Sequence, residues 1–154
     1  MLWKQSLISK HQIITFVLVL CADQLSKHFV MHNIDLLPYT VFSWFSIILL
    51  WNPGVLFGIT LFDHPAAYVG LACMIVAFIL YMFARTHCPK ERWAFVFILS
   101  GALGNIIDRI RFGAVVDFID LYAYNWHWPA FNIADAAISL SVAFLSVLFL
   151  KKPV

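Results

Sequence analysis

The stretch Gly101–Asp135, GALGNIIDRIRFGAVVDFIDLYAYNWHWPAFNIAD, decides how this chain folds. It places four aspartates, two arginines and the asparagines Asn105 and Asn132 in a sequence that is 63% hydrophobic and only 12% charged. A composition of that kind marks an integral membrane protein. A charged side chain at mid-span costs roughly 2.5–3.5 kcal/mol on insertion scales. Groups kept beside the spans at that cost are expected to be used.

Working outward, 154 residues leave room for about four spanning helices of about 20 residues each. Four apolar runs are long enough, at about residues 12–31, 67–84, 93–112 and 130–150. A fifth, Val41–Phe62, is interrupted by Asn52-Pro53-Gly54, and Pro with Gly disfavours a continuous helix. The N-terminus starts basic and turns apolar as a signal peptide does, but lacks a small-residue cleavage site. It reads as an uncleaved first span.

Charge sets the orientation. With four spans, seven of the ten Lys and Arg residues (Lys4, Lys10, Arg85, Lys90, Arg92, Lys151 and Lys152) fall on one side. By the positive-inside rule that side is the cytoplasm. Seven of the eight acidic residues then lie at the outer face, and only Glu91 lies inside. The expected fold is therefore all-α: a single membrane domain over residues 1–154 with four transmembrane helices and both termini cytoplasmic. The extracytoplasmic segments are expected at about 32–66 and 113–129. Tyr39–Ile48 (YTVFSWFSII), rich in β-branched and aromatic residues, predicts a short strand and a small β-like platform between helices one and two. The aromatics from Tyr122 to Trp128 fit an interfacial belt. Cys21, Cys73 and Cys88 form no CxxC and imply no disulfide framework.

Depth then points to a site. Asp23 is 13 residues from Lys10, Asp108 is 15 from Trp93, and Asp135 is 16 from Lys151. At the helical rise these are about 20, 22 and 24 Å. Three carboxylates from three helices thus arrive at one height below the outer surface. Asp23 with Lys27 is an i, i+4 pair, read either as part of that site or as an ion pair that only fixes helix depth. Asn105 stands i, i+3 from Asp108 and i, i+4 from Arg109, and Asp108 with Arg109 or Arg111 is expected to organise the site. Asn132 either caps the fourth helix or contacts substrate. Asp117 is expected on a mobile outer link that folds back over the site, and Asp35, Asp63 and Asp120 as solvated loop charges.

The residue types narrow the chemistry. Ser100-Gly101 lacks GxSxG, no HExxH occurs, and His28 and His32 have no carboxylate between them. What fits is a carboxylate dyad, in which two aspartates sharing a proton activate water and protonate the scissile carbonyl. Asp117 and Asp135 are the candidates. An ion-coupled carrier is the main alternative; it calls for polar inner halves and an internal repeat, and neither is visible. A non-catalytic membrane subunit is the other, and it would tolerate Asn at position 117.

DQLSK (Asp23–Lys27), NPGVLFG (Asn52–Gly58), GALGNIIDRIRFGAVVDFID (Gly101–Asp120) and FNIADAAI (Phe131–Ile138) together resemble the motif set of lipoprotein signal peptidase, or signal peptidase II. The resemblance covers nearly the whole chain in order. It implies an aspartyl endopeptidase of the bacterial inner membrane that removes the signal peptide of prolipoproteins just before the diacylglyceryl-modified cysteine. It places the catalytic pair at Asp117 and Asp135. Supporting positions are Asp23, Lys27, Asn52, Gly54, Asn105, Asp108, Arg109 and Asn132. No metal or other cofactor is expected. The expected partners are lipidated prolipoproteins and membrane phospholipid, with no nucleic acid, and the chain is expected to act as a monomer near the outer leaflet.

Overall fold

The structure, a computed structural model, describes residues 8–54 and 64–151. The expectations placed on Asp63, on Lys4 and Lys152, and on the second half of the NPGVLFG motif lie outside them. Helix α1 (Lys10–His32) begins at a capping box in which Ser9 and Gln12 satisfy each other's backbone N–H groups. α2 (Pro65–Arg85) and α3 (Pro89–Phe112) each start with Pro in the first turn, where its missing N–H costs nothing. α4 spans Ile133–Leu150. All four are long and apolar enough to cross a membrane.

Their surroundings differ. Half of α3's apolar window is buried inside the protein, against 17% for α1 and α4 and 6% for α2. α3 is therefore the central helix, and the others turn residues such as Leu18, Phe29, Phe78 and Leu140 outward, as lipid-facing spans do. Ala94, Phe95 and Ile98 of α3 pack with Leu145 of α4 into an apolar cluster toward one end of the bundle. There Glu91 is buried and accepts from the Thr86 hydroxyl, bracing the α2–α3 turn. At the opposite end α3 carries Asn105 and Asp108, and it stops at Gly113, whose left-handed φ of 75° closes the helix.

The sheet is larger than the sequence suggested. Tyr39–Ile48 forms a hairpin rather than one strand: β1 (Tyr39–Phe42) and β2 (Phe45–Asn52). The other half of the sheet comes from the connection between α3 and α4, as β3 (Val115–Ala123) and β4 (Trp126–His127). The antiparallel order is β1-β2-β3-β4, with Leu50 opposite Asp117 and Ser46 opposite Asp120. Val115–Ala123, VVDFIDLYA, has the β-branched and aromatic content of a strand, but its two aspartates hide the apolar alternation. In consequence Asp117 sits on a paired, buried strand and not on a mobile link. Asp120 is likewise buried and bonded to His127, not solvated.

Candidate active site

The site grows from the first turn of α4. Asn132 is its N-cap: its side-chain oxygen accepts from the Asp135 N–H at 2.9 Å, and Asp135 Oδ2 accepts from the Asn132 N–H at 3.3 Å. This capping box fixes the Asp135 carboxylate by local chemistry alone. Asp135 Oδ1 accepts from Asn105 Nδ2 at 2.8 Å. The Asn132 amide then reaches the second carboxylate, on β3. Its Nδ2 donates to Asp117 Oδ1 at 2.7 Å, with the Val116 carbonyl and Asn105 Oδ1 at 3.2 and 3.3 Å. One fully buried side chain thus ties Asp117 to Asp135. Of the two readings of Asn132, the helix cap is present, and the same side chain also holds Asp117.

Asp117 Oδ2 accepts from Asn52 Nδ2 at 2.9 Å. Asn52 is held in turn by the Gly54 N–H on its own oxygen (3.0 Å), and Arg109 Nη2 donates to the Gly54 carbonyl at 2.8 Å. Arg109 Nε is buried with no partner among the described residues. Burial, followed by the Asp135 charge, pushes Asp117 up from its ordinary 3.8 to about 6, against the lowering effect of the two amide donors. Asp117 also lines a cavity of about 360 Å³ with Leu50, Trp51, Asn52, Pro53, Pro129 and Ala130.

Behind this pair lies an ion knot. Lys27, 1% exposed, donates to Asp23 Oδ2 (2.8 Å), Asp108 Oδ2 (2.7 Å) and Asn105 Oδ1 (3.0 Å), so each ammonium proton has an acceptor. Asp108 pairs with Lys27 across the helices, not with Arg109 or Arg111 as its sequence neighbours suggested. Its Oδ2 also accepts from the Val116 N–H at 3.3 Å, next to Asp117. Asp23 Oδ1 accepts from the Ala134 N–H at 2.9 Å, placing a carboxylate from α1 at the positive end of α4. Gln24, which sequence reasoning passed over, donates to Asp108 Oδ1 (3.0 Å), Asp23 Oδ2 and the Gly104 carbonyl; its only signal was its place beside Asp23 in DQLSK. Two glycines permit the approach. A Cβ on Gly104 would stand 2.5 Å from Asp23 Oδ2, and one on Gly101 2.5 Å from the Ala134 carbonyl.

The structure therefore brings all ten predicted residues into one connected network. The signal peptidase (SPase) II family model matches residues 15–151. The chain belongs to the signal peptidase II family. Membership makes it a protease of aspartic type. The lipoprotein signal peptidase of Anaplasma phagocytophilum (strain HZ) is 38% identical over 147 residues, covering 91% of this chain and 92% of its own. That of Polynucleobacter necessarius subsp. necessarius (strain STIR1) is 41% identical over 136 residues, covering 84% and 82%. A solved bacterial membrane enzyme is 27% identical with a TM-score of 0.82, over 94% of both chains. Family membership is the chemical setting of the Asn132 bridge between Asp117 and Asp135.

Proposed function

We propose that this chain cleaves the signal peptide from diacylglyceryl-modified prolipoproteins just before the lipidated cysteine, with Asp117 and Asp135 as an aspartic dyad. The carrying observation is the Asn132 side chain, which donates to Asp117 while capping the turn that holds Asp135. Two carboxylates so linked resist simultaneous ionisation and favour one shared proton.

The ionised partner takes a proton from a water as its oxygen attacks the scissile carbonyl carbon. The protonated partner gives its proton to the carbonyl oxygen, forming a neutral gem-diol. Collapse breaks the C–N bond: a diol hydroxyl returns its proton to one carboxylate while the other protonates the leaving amine. Asn52, Asn105 and Asn132 orient the oxygens, and Asp23, Lys27 and Asp108 hold the helices that carry them. Arg109, through the Gly54 carbonyl, supports the Asn52 turn. No cofactor is needed for these steps.

In this reading the enzyme lies in the bacterial inner membrane with both termini cytoplasmic. The sheet rests at the extracytoplasmic side, among phospholipid headgroups, and the protein acts as a monomer. A substrate helix in the same bilayer presents its lipidated cysteine at the height of the dyad. The test is reconstitution in liposomes with a lipidated prolipoprotein and its non-lipidated form. Wild type cleaves the lipidated substrate, and Asp117→Asn and Asp135→Asn insert and fold but do not. Normal cleavage by either variant would sink the dyad, and equal cleavage of both substrates would sink the lipid requirement.

A further inference from the structure

Asp120 lies three residues beyond Asp117 on the same strand and is 7% exposed, yet the dyad chemistry gives it no task. A buried carboxylate needs a partner, and its partner is His127, whose Nδ1 stands 2.9 and 3.0 Å from the two Asp120 oxygens. The His127 side chain is itself 56% exposed. Its ring stacks on Tyr122, with centroids 5.0 Å apart and planes at 24°. The Tyr122 hydroxyl accepts from Ser46 Oγ (3.2 Å) and donates to the Phe42 carbonyl (3.3 Å). The pair therefore ties β4 to β3, and β3 to the hairpin of β1 and β2.

What it fixes becomes visible downstream. β4 has only two residues, too few for its ladder alone to hold it in place. Four residues later, Phe131 is anchored: its N–H donates to the Ile119 carbonyl (3.2 Å), and its carbonyl accepts from the Phe118 and Ile119 N–H groups (3.1 and 2.8 Å). Between these two attachments run Pro129 and Ala130, which form one wall of the cavity beside Asp117, with Leu50, Trp51 and Pro53 also lining it. The wall is a short span pinned at both ends. The far pin is the strand ladder and the Asn132 cap, and the near pin is Asp120–His127, together with the Trp128 N–H on the Leu121 carbonyl (2.8 Å).

We infer that Asp120 and His127 are a positioning pair that sets the Pro129–Ala130 wall, and with it the fit of the peptide flanking the scissile bond. The inference rests on the assignment of Asp117 to the dyad. Neither residue touches the reacting atoms. A loosened wall reduces the fraction of enzyme in the binding-competent shape, which raises KM and leaves the chemical step alone. Mere destabilisation of the hairpin would do the reverse, lowering the amount of active enzyme at unchanged KM.

The test uses the full-length protein in liposomes, titrated with lipidated prolipoprotein, with rates normalised to folded enzyme. His127→Ala and Asp120→Asn each raise KM roughly three- to fivefold, the scale of a half-exposed charged hydrogen bond. Their kcat stays within about twofold of wild type. The double variant is no worse than either single, because the two residues act as one contact. His127→Asn, which keeps an N–H near the position of Nδ1, recovers most of the loss. Unchanged KM in folded His127→Ala, or full additivity in the double variant, would overturn the inference. If Asp120→Asn does not insert, the two His127 variants, made at an exposed side chain, still decide. Asp117→Asn is run alongside. Normal cleavage by it breaks the dyad reading, whereas an inactive Asp117→Asn with wild-type KM in His127→Ala breaks only the positioning role.

Discussion

Two pairs of aspartates share one end of this bundle and are held in opposite ways. Asp23 and Asp108 each face the Lys27 ammonium at 2.8 and 2.7 Å. Asp117 and Asp135 accept from the amides of Asn52, Asn132 and Asn105, and among the described residues no salt bridge reaches either of them. A cation at contact distance holds a buried carboxylate in an ion pair, whereas neutral amide donors fix its position without supplying a counter-charge. The first pair is a frame. The second is held in place by amides alone.

Asp→Asn at all four positions breaks or sharpens that distinction most strongly. Asp117→Asn and Asp135→Asn are expected to lose about 10³-fold or more in turnover, roughly 4 kcal/mol of barrier, with a near-normal melting midpoint in detergent. Asp23→Asn and Asp108→Asn are expected to fail first as folds, since the new Nδ2 would face a donor (Lys27 Nζ, Gln24 Nε2 or a backbone N–H) where a carboxylate oxygen accepted. Four inactive variants with wild-type stability would erase the difference between frame and dyad.

Lys27→Met tests the frame from its centre. Removing one partner of a buried pair typically costs about 3–5 kcal/mol, and here two carboxylates are stranded at once. The expected result is poor insertion or a large drop in melting midpoint, not relieved by restoring substrate. A stable, active Lys27→Met protein would mean that the ion knot is dispensable.

Much of this was legible in sequence because helices declare themselves by length. The four apolar runs fell within a few residues of α1 to α4, and counting along three of them put Asp23, Asp108 and Asp135 at a similar distance from one end of the bundle. The i, i+4 spacing of Asp23 and Lys27 gave a true pair. What stayed hidden was non-local. Asp108 finds Lys27 on another helix, 81 residues away in sequence, so its neighbours Arg109 and Arg111 misled. β3 was missed because a strand that buries two aspartates loses the alternation by which strands are read. Gln24 was missed because its three acceptors lie partly on α3, and only the fold collects them.

The burial of Asp117 has a thermodynamic mark. Asp117, raised from 3.8 to about 6, keeps its proton in the folded protein over a range where the unfolded chain has lost it. The fold therefore gains stability as pH falls from about 6 toward 4, and carries the full cost of the buried charge above 6. The shift corresponds to at most about 3 kcal/mol. Melting midpoints measured between pH 4.5 and 7.5 should show this slope in wild type and a shallower one in Asp117→Ala. An identical slope in both would assign the titration elsewhere.

The smallest effect probes the frame through packing alone. Gly104 and Gly70 are both helical glycines, and Gly→Ala in a helix ordinarily stabilises by about 0.5–1 kcal/mol. At Gly70, on α2, an added Cβ meets nothing within 4 Å, so Gly70→Ala should raise the melting midpoint slightly. At Gly104 the same methyl would stand 2.5 Å from Asp23 Oδ2, an atom already committed to Lys27 and Gln24. Asp23 has no free direction to give, because its other oxygen holds the Ala134 N–H at the start of α4. Either α1 and α3 separate or the carboxylate turns from its partners, and overpacking of that kind costs about 1–3 kcal/mol. Gly104→Ala should therefore lower the melting midpoint while Gly70→Ala raises it. Because Ala134 adjoins Asp135, the Gly104 variant should also lose activity per folded molecule. Equal and positive shifts at both glycines would show that α3 and α1 have slack between them, and the frame would then be looser than its distances state.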